Sequence, residues 1–169
     1  PGLFDTPSEP LRRDATSPTL GDVARCMRGI ATGANNYFTL RESDRRRWDI
    51  DARDLRLCIT KAQHITADQL TRDDVQRLLD ADRRIHLLCP RPGLTAEVER
   101  YLEEGRRQGV DQRYLPAHRP VWYRPEHRAP APILVSVFAR GEFRFVLNEA
   151  GVLNLTAYHG IYPHALDGD

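Results

Sequence analysis

Arg28-Gly29-Ile30-Ala31-Thr32-Gly33-Ala34-Asn35-Asn36-Tyr37-Phe38 gathers two glycines, a threonine, two asparagines and two aromatics into eleven residues. An apolar run precedes it, Val23 to Ile30, and a shorter one follows, Tyr37 to Leu40, both bounded as strands are. The stretch therefore reads as a shaped loop between two strands, a tight glycine hairpin. Gly29 and Gly33 can supply positive φ or let a second backbone come close. Thr32, Asn35 and Asn36 can bond either to the loop's own backbone or to a ligand. Composition leaves both uses open.

Outward from this loop the chain alternates between short helices and strands. Glu42 to Trp48 reads as a charged helical turn anchored by Trp48. Its Arg45-Arg46-Arg47 run lies among Asp44, Asp49 and Asp51, so it reads as a solvated face. Leu55 to Ile59 is a strand, followed by a polar turn near Thr66 to Gln69. Thr71 then heads a helix to about Asp80, with Asp74 completing a capping box and Val75, Leu78 and Leu79 on one face. Ile85 to Leu88 is a short strand closed by Pro90-Arg91-Pro92-Gly93. Thr95 caps a second helix that turns Val98, Tyr101 and Leu102 inward and stops before Gly109.

From Val110 to Pro132 five prolines break the pattern around His118-Arg119-Pro120-Val121-Trp122-Tyr123-Arg124. Here Trp122 reads as core, and Arg119 and Arg124 as ligand contacts. Ile133 to Ala139 and Glu142 to Leu147 form a hairpin with Arg140 at its turn. Phe143, Phe145 and Leu147 share one face, and Arg144, Val146 and Asn148 the other. An arginine within an apolar strand requires a carboxylate or phosphate partner. Asn154 to Tyr158 is the last expected strand. Residues 1–20 read as a linker or cut end, 21–160 as one domain and 161–169 as a frayed tail. Runs of both types without strict alternation predict an α+β fold, a mixed or antiparallel sheet with helices inserted between strands.

The 169 residues suffice to bury a core and carry a net charge of only +1. Arginine supplies all the basic residues except Lys61, an imbalance that a GC-rich coding sequence produces whatever the function. The distribution is more informative: Val23 to Arg41 sums to +3 and Arg113 to Arg144 to +4, leaving −6 for the rest. Two separated basic segments can form one anion-facing surface if the fold joins them. Cys26, Cys58 and Cys89 are far apart and read as buried, reduced thiols of a cytoplasmic protein. The six histidines lack metal-ligand spacing, and no apolar run approaches membrane-spanning length.

The Arg28-Gly29-Ile30-x-Thr32-Gly33-x-Asn35-x-x-Phe38 loop, the Arg119-x-x-Trp122-Tyr123 cluster and the Arg144-Phe145-x-x-Asn148 strand, in that order, resemble the C-terminal specificity region of gamma-class adenine-specific DNA methyltransferases. That family includes TaqI-type modification methylases and fused restriction-modification enzymes. The similarity spans about Gly21 to Tyr158 and is weakest over Ser43 to Gly109. It implies a target-recognition domain that binds double-stranded DNA beside its own N-terminal catalytic domain. There S-adenosylmethionine would be held and the adenine extruded and methylated. The Asn-Pro-Pro-aromatic motif of that catalytic half is missing from this sequence, as is a glycine-rich cofactor fingerprint, so this segment is expected to be non-catalytic and to bind no cofactor itself.

On the resemblance, Arg25, Arg28, Arg119, Arg124 and Arg140 are candidate phosphate or guanine-edge contacts, and Thr32, Asn35, Asn36 and Arg144 candidate polar contacts. Gly29, Gly33, Phe38, Trp122, Phe143 and Phe145 are candidate framework. Two other readings stand beside this one. A standalone basic module binding an acidic protein explains the same charge. An enzyme using Asp and His as acid and base ranks last, because no histidine is spaced to suit a nucleophile or carboxylate.

Overall fold

Thr19 opens one turn of helix, α1 (Leu20–Val23), where its backbone N–H and its hydroxyl both donate to Asp22 Oδ2, at 2.6 and 2.7 Å. The chain then extends as β1 (Ala24–Arg28). In the computed structural model, which describes residues 18–137 and 143–164, the next segment is not the expected hairpin. Gly33, at φ 77°, turns the chain into a short helix, α2 (Asn35–Phe38), which leads directly to β2 (Thr39–Leu40). Strand β2 never pairs with β1. The helical turn drives Tyr37 and Phe38 into the core, 8% and 0% exposed, a burial that a solvent-edge hairpin tip could not provide.

The remaining elements follow the sequence reading closely: α3 (Glu42–Trp48), β3 (Leu55–Ile59), α4 (Arg72–Asp80), β4 (His86–Leu88) and α5 (Ala96–Arg107). Asp49 closes α3 in the left-handed region, and Arg45 and Arg46 both pair with Glu42. Thr71 and Thr95 cap their helices by accepting from the backbone of Asp74 and Val98. Within the proline-rich stretch the structure adds a short helix, α6 (Tyr114–Ala117), which Pro116 had hidden; the first turn of a helix needs no N–H donor, so proline is tolerated there. Then come β5 (Ile133–Ser136), β6 (Phe145–Leu147), β7 (Leu153–Asn154) and β8 (Tyr158–Pro163).

Two four-stranded sheets result, and the fold is α+β as expected. The first, β1-β8-β5-β6, is antiparallel throughout. The second, β2-β4-β3-β7, is antiparallel except for the parallel β3–β7 pair. The opening loop therefore crosses between sheets. Each sheet has its own core, and β3 serves both: Cys58 belongs to one cluster and Ile59 to the other, because successive strand residues point to opposite faces. The turn between β7 and β8 is shared in the same way by Leu155 and Tyr158.

Several expectations are corrected. The single strand expected over Asn154 to Tyr158 is two strands in different sheets, and β8 runs to Pro163, into the region expected to fray. Phe143, Phe145 and Leu147 do share a face, but it is the outer one, 67%, 53% and 44% exposed, while Val146 and Asn148 are buried. The two phenylalanines are therefore not framework. Cys26 is exposed, Cys89 half-buried and only Cys58 fully buried. Among the described residues no helix is long and apolar enough to cross a membrane.

Candidate functional site

The two basic segments of the sequence meet at the opening loop. Arg119 reaches across so that Nη2 donates to the carbonyls of Ala31 and Thr32, at 2.6 and 2.9 Å, and its guanidinium lies 5.5 Å from the Phe38 ring centre. Burial pulls its pKa below the ordinary arginine value. Thr32 is wholly buried; its hydroxyl donates to Asn35 Oδ1 at 2.5 Å and accepts from the Ala34 N–H at 3.1 Å. Both residues, expected to touch a ligand, instead hold the loop in shape. Their hydrogen-bonding groups are already engaged by the backbone groups that the crossover leaves unpaired.

The framework expectations hold elsewhere in the loop. A Cβ on Gly29 would fall 2.1 Å from the carbonyl oxygen of Leu155, and Gly33 has positive φ with Leu115 and Pro116 packed against it. Trp122 packs against the core with its ring 6.0 Å from Tyr37 and 6.2 Å from Phe38. Both glycines thus face protein atoms, which accounts for their place in the frame. No metal-ligating cluster occurs among the described residues.

Asn35 and Asn36, by contrast, are exposed, and they line a cleft of about 680 Å³. Its other walls carry Arg41, Lys61, Arg83 and Arg84, brought from the ends of β2, β3 and β4. Arg84 fixes the geometry: Nη1 donates to the carbonyls of Asn36 and Thr39, at 3.0 and 2.7 Å, and lies 3.2 Å from Asp44 Oδ2. Arg41, Lys61 and Arg83 form no ion pair among the described residues. The one acid in the wall, Asp82, spends both oxygens on Ser43, which holds its carboxyl below the usual range. Half-buried His64, in the same wall, has its pKa lowered chiefly by burial and further by Lys61 and Arg83. Asn36 also borders a second depression of about 400 Å³ with Arg47 and Arg113. The cleft is open, polar and cationic, and suits an extended anion with hydrogen-bonding edges.

The sequence reading counted Arg41 in a basic segment but passed over Arg83 and Arg84, which stand next to Asp80 and Asp82, and Lys61, an isolated cation between strand and turn. The other expected contacts are scattered. Arg25 is exposed on β1, opposite Tyr162. Arg28 pairs with Glu126 at 2.6 Å, and Arg124 is exposed beside the Tyr123 ring. Arg144 finds the carboxylate its strand position required, with Nε donating to Asp68 at 3.3 Å and Nη1 to the Ile65 carbonyl at 3.1 Å. Arg140 lies outside the described residues.

The geometry is thus a two-sheet α+β domain with a tightly braced crossover loop and a cationic cleft beside it. The chain belongs to the family of the Type II methyltransferase M.Eco57I C-terminal domain, whose model matches residues 8–168. It is 38% identical over 138 residues to the Type II methyltransferase M.AccI of Acinetobacter calcoaceticus, covering 82% of this chain and 26% of that protein. It is also 31% identical over 150 residues to the Type II methyltransferase M.XamI of Xanthomonas campestris pv. amaranthicola, covering 85% of this chain and 27% of that protein. The chain thus spans about a quarter of the length of these relatives.

Proposed function

We propose that this chain is the target-recognition part of an adenine-specific DNA methyltransferase of a restriction-modification system. It binds double-stranded DNA while a separate catalytic part of the parent protein holds S-adenosylmethionine and transfers the methyl group. The observation that carries this reading is the placement of exposed Asn35 and Asn36 in the wall of a cleft whose unpaired cations are Arg41, Lys61 and Arg83. Cations of this kind neutralise phosphates and set the register of the duplex, and amide side chains read base edges, an asparagine bonding in bidentate fashion to adenine. Membership of a Type II methyltransferase family supports the same reading.

Two measurements on the intact protein test it. Replacing Asn35 and Asn36 with alanine weakens site-specific methylation by about tenfold or more and leaves S-adenosylmethionine affinity unchanged. Loss of cofactor affinity would assign the loop to the catalytic side instead. The double substitution Lys61→Gln, Arg83→Gln weakens binding to all duplexes alike and lowers the slope of log affinity against log salt by about 2. An unchanged slope would remove the cleft from the DNA interface.

A further inference from the structure

A second cationic depression lies at the opposite end of the β2-β4-β3-β7 sheet. The Asn36 cleft is walled by Thr60 and Lys61, just past β3, and by Arg84, just before β4; the second depression is walled by Leu55, at the start of β3, and by Cys89 and Pro90, just past β4. Because β3 and β4 are antiparallel, these are the two ends of one sheet. The second depression holds about 420 Å³ and carries Arg53, Arg56, Arg91, Arg124 and Arg128.

The carboxylates nearby are already engaged. Glu126 is held by Arg28 at 2.6 Å and by Arg128 at 2.5 Å. Buried Asp54 accepts the Arg91 backbone N–H through Oδ1 at 2.9 Å, and its Oδ2 stands 3.6 Å from Arg53 Nε. Among the described residues no carboxylate pairs with Arg56, Arg91 or Arg124. The frame is stiff: Arg56 donates to the Arg128 carbonyl at 3.2 Å, Arg128 donates to the Arg28 carbonyl, and Pro90 and Pro125 fix the backbone on either side. Guanidinium groups left without acids on a fixed frame match the forked geometry of phosphate oxygens.

We infer that this depression is a second phosphodiester site, which takes the backbone of the same duplex outside the bases read at the Asn36 cleft. The inference rests on the DNA-binding reading above. The five residues of β3 span roughly 13 Å, and duplex DNA carries one charge per ~1.7 Å of axis, so on the order of eight phosphates lie between the two ends of the sheet. A duplex lying along β3 is long enough to reach from one depression to the other.

The test is a salt series of binding to a random-sequence DNA duplex by the intact protein. Three forms are compared: the unaltered protein; the triple variant Arg53→Gln, Arg91→Gln, Arg124→Gln; and a control with Arg100, Arg106 and Arg107 of α5 changed to glutamine. All six side chains are exposed, and the control removes the same charge from a helix that lines neither depression. The triple variant is expected to lower the log–log salt slope by about 2–3 while the control leaves it unchanged, and the triple variant keeps the ratio of cognate to non-cognate methylation. An unchanged slope in the triple variant, or an equal fall in the control, overturns the second site and leaves the Asn36 cleft standing. Failure of the unaltered protein to bind any duplex overturns both.

Discussion

Arg119 and Arg83 carry the same guanidinium and perform opposite tasks, and their surroundings explain why. Arg119 is half-buried against Phe38 with two carbonyl acceptors within 2.9 Å, so its charge is satisfied internally and its removal exposes those acceptors. Arg119→Ala is expected to lower stability by about 2 kcal/mol in urea unfolding, with no change in the salt slope of DNA binding. Arg119→Lys restores only part of the loss, because the guanidinium also donates through Nη1 to the Trp122 carbonyl at 3.4 Å, a third acceptor on the fork that a compact ammonium does not match. Gly29→Ala tests the close approach to Leu155 and is expected to cost about 3 kcal/mol or to prevent folding, since a backbone oxygen cannot move aside as a side chain can. Glu42 gives a pH signature. Hydrogen bonding from Arg45, opposed by some burial and aided by Arg46, holds its carboxyl at about 2, below the ordinary 4.5. A carboxylate with a depressed native pKa contributes stability at and above its unfolded value, and that contribution is lost as pH falls from 4.5 towards 2. After discounting for solvent screening it is on the order of 1 kcal/mol. Glu42→Gln should flatten the stability profile in this window and leave the rest of the curve unmoved.

At the scale of elements, α4 was legible in full, whereas β6 was legible in place and pairing but not in which face turns inward. The Thr71 hydroxyl donates to Asp74 Oδ2 at 2.6 Å and accepts the Asp74 N–H at 3.3 Å, a start signal written entirely in neighbouring residues. Thr71→Ala is expected to cost about 1 kcal/mol, measurable by denaturant titration. Strand β6 is the last strand of its sheet, and at Leu147 its outer side is hydrogen-bonded to the backbone of Asp68 and Leu70, both at 2.8 Å. Alternation correctly divided its residues into two faces but did not say which face was inner. Val146 and Asn148 decide that: Val146 joins the second core, and the Asn148 amide donates to the carbonyls of Ala131 and Val152, both at 2.8 Å. The outer face of β6, with Phe143, Phe145 and Leu147 exposed, is an apolar patch of the kind that promotes association. Phe145→Lys should therefore reduce self-association in light scattering while shifting the unfolding midpoint by less than about 0.5 kcal/mol.

The whole molecule is tied together from its two ends. Strand β8, near the end of the described residues, lies between β1, near their start, and β5, so the first sheet closes only when distant segments meet. Such non-local pairing predicts slow, cooperative folding. Deleting residues 158–164 removes an inner strand of the sheet and the wholly buried Tyr158, and the cooperative urea transition should vanish. The two cationic depressions are also whole-molecule features. Each is assembled from segments far apart in the chain, and β3 runs between them.

By itself the sequence determined the starts of α3, α4 and α5, most strand positions, the α+β class and the family resemblance, because capping, alternation and glycine placement act between residues a few positions apart. It also identified Gly29, Gly33, Phe38 and Trp122 as frame. Only the tertiary structure decided that the loop Arg28 to Phe38 crosses between two sheets rather than closing a hairpin. It likewise decided that Arg119 and Thr32 brace that loop, and that Arg41, Lys61, Arg83 and Arg84 gather beside Asn35 and Asn36. The physical reason is the same in each case. Whether an arginine is a strut or a free cation depends on which carbonyls and carboxylates reach it, and those come from residues tens of positions away in the chain.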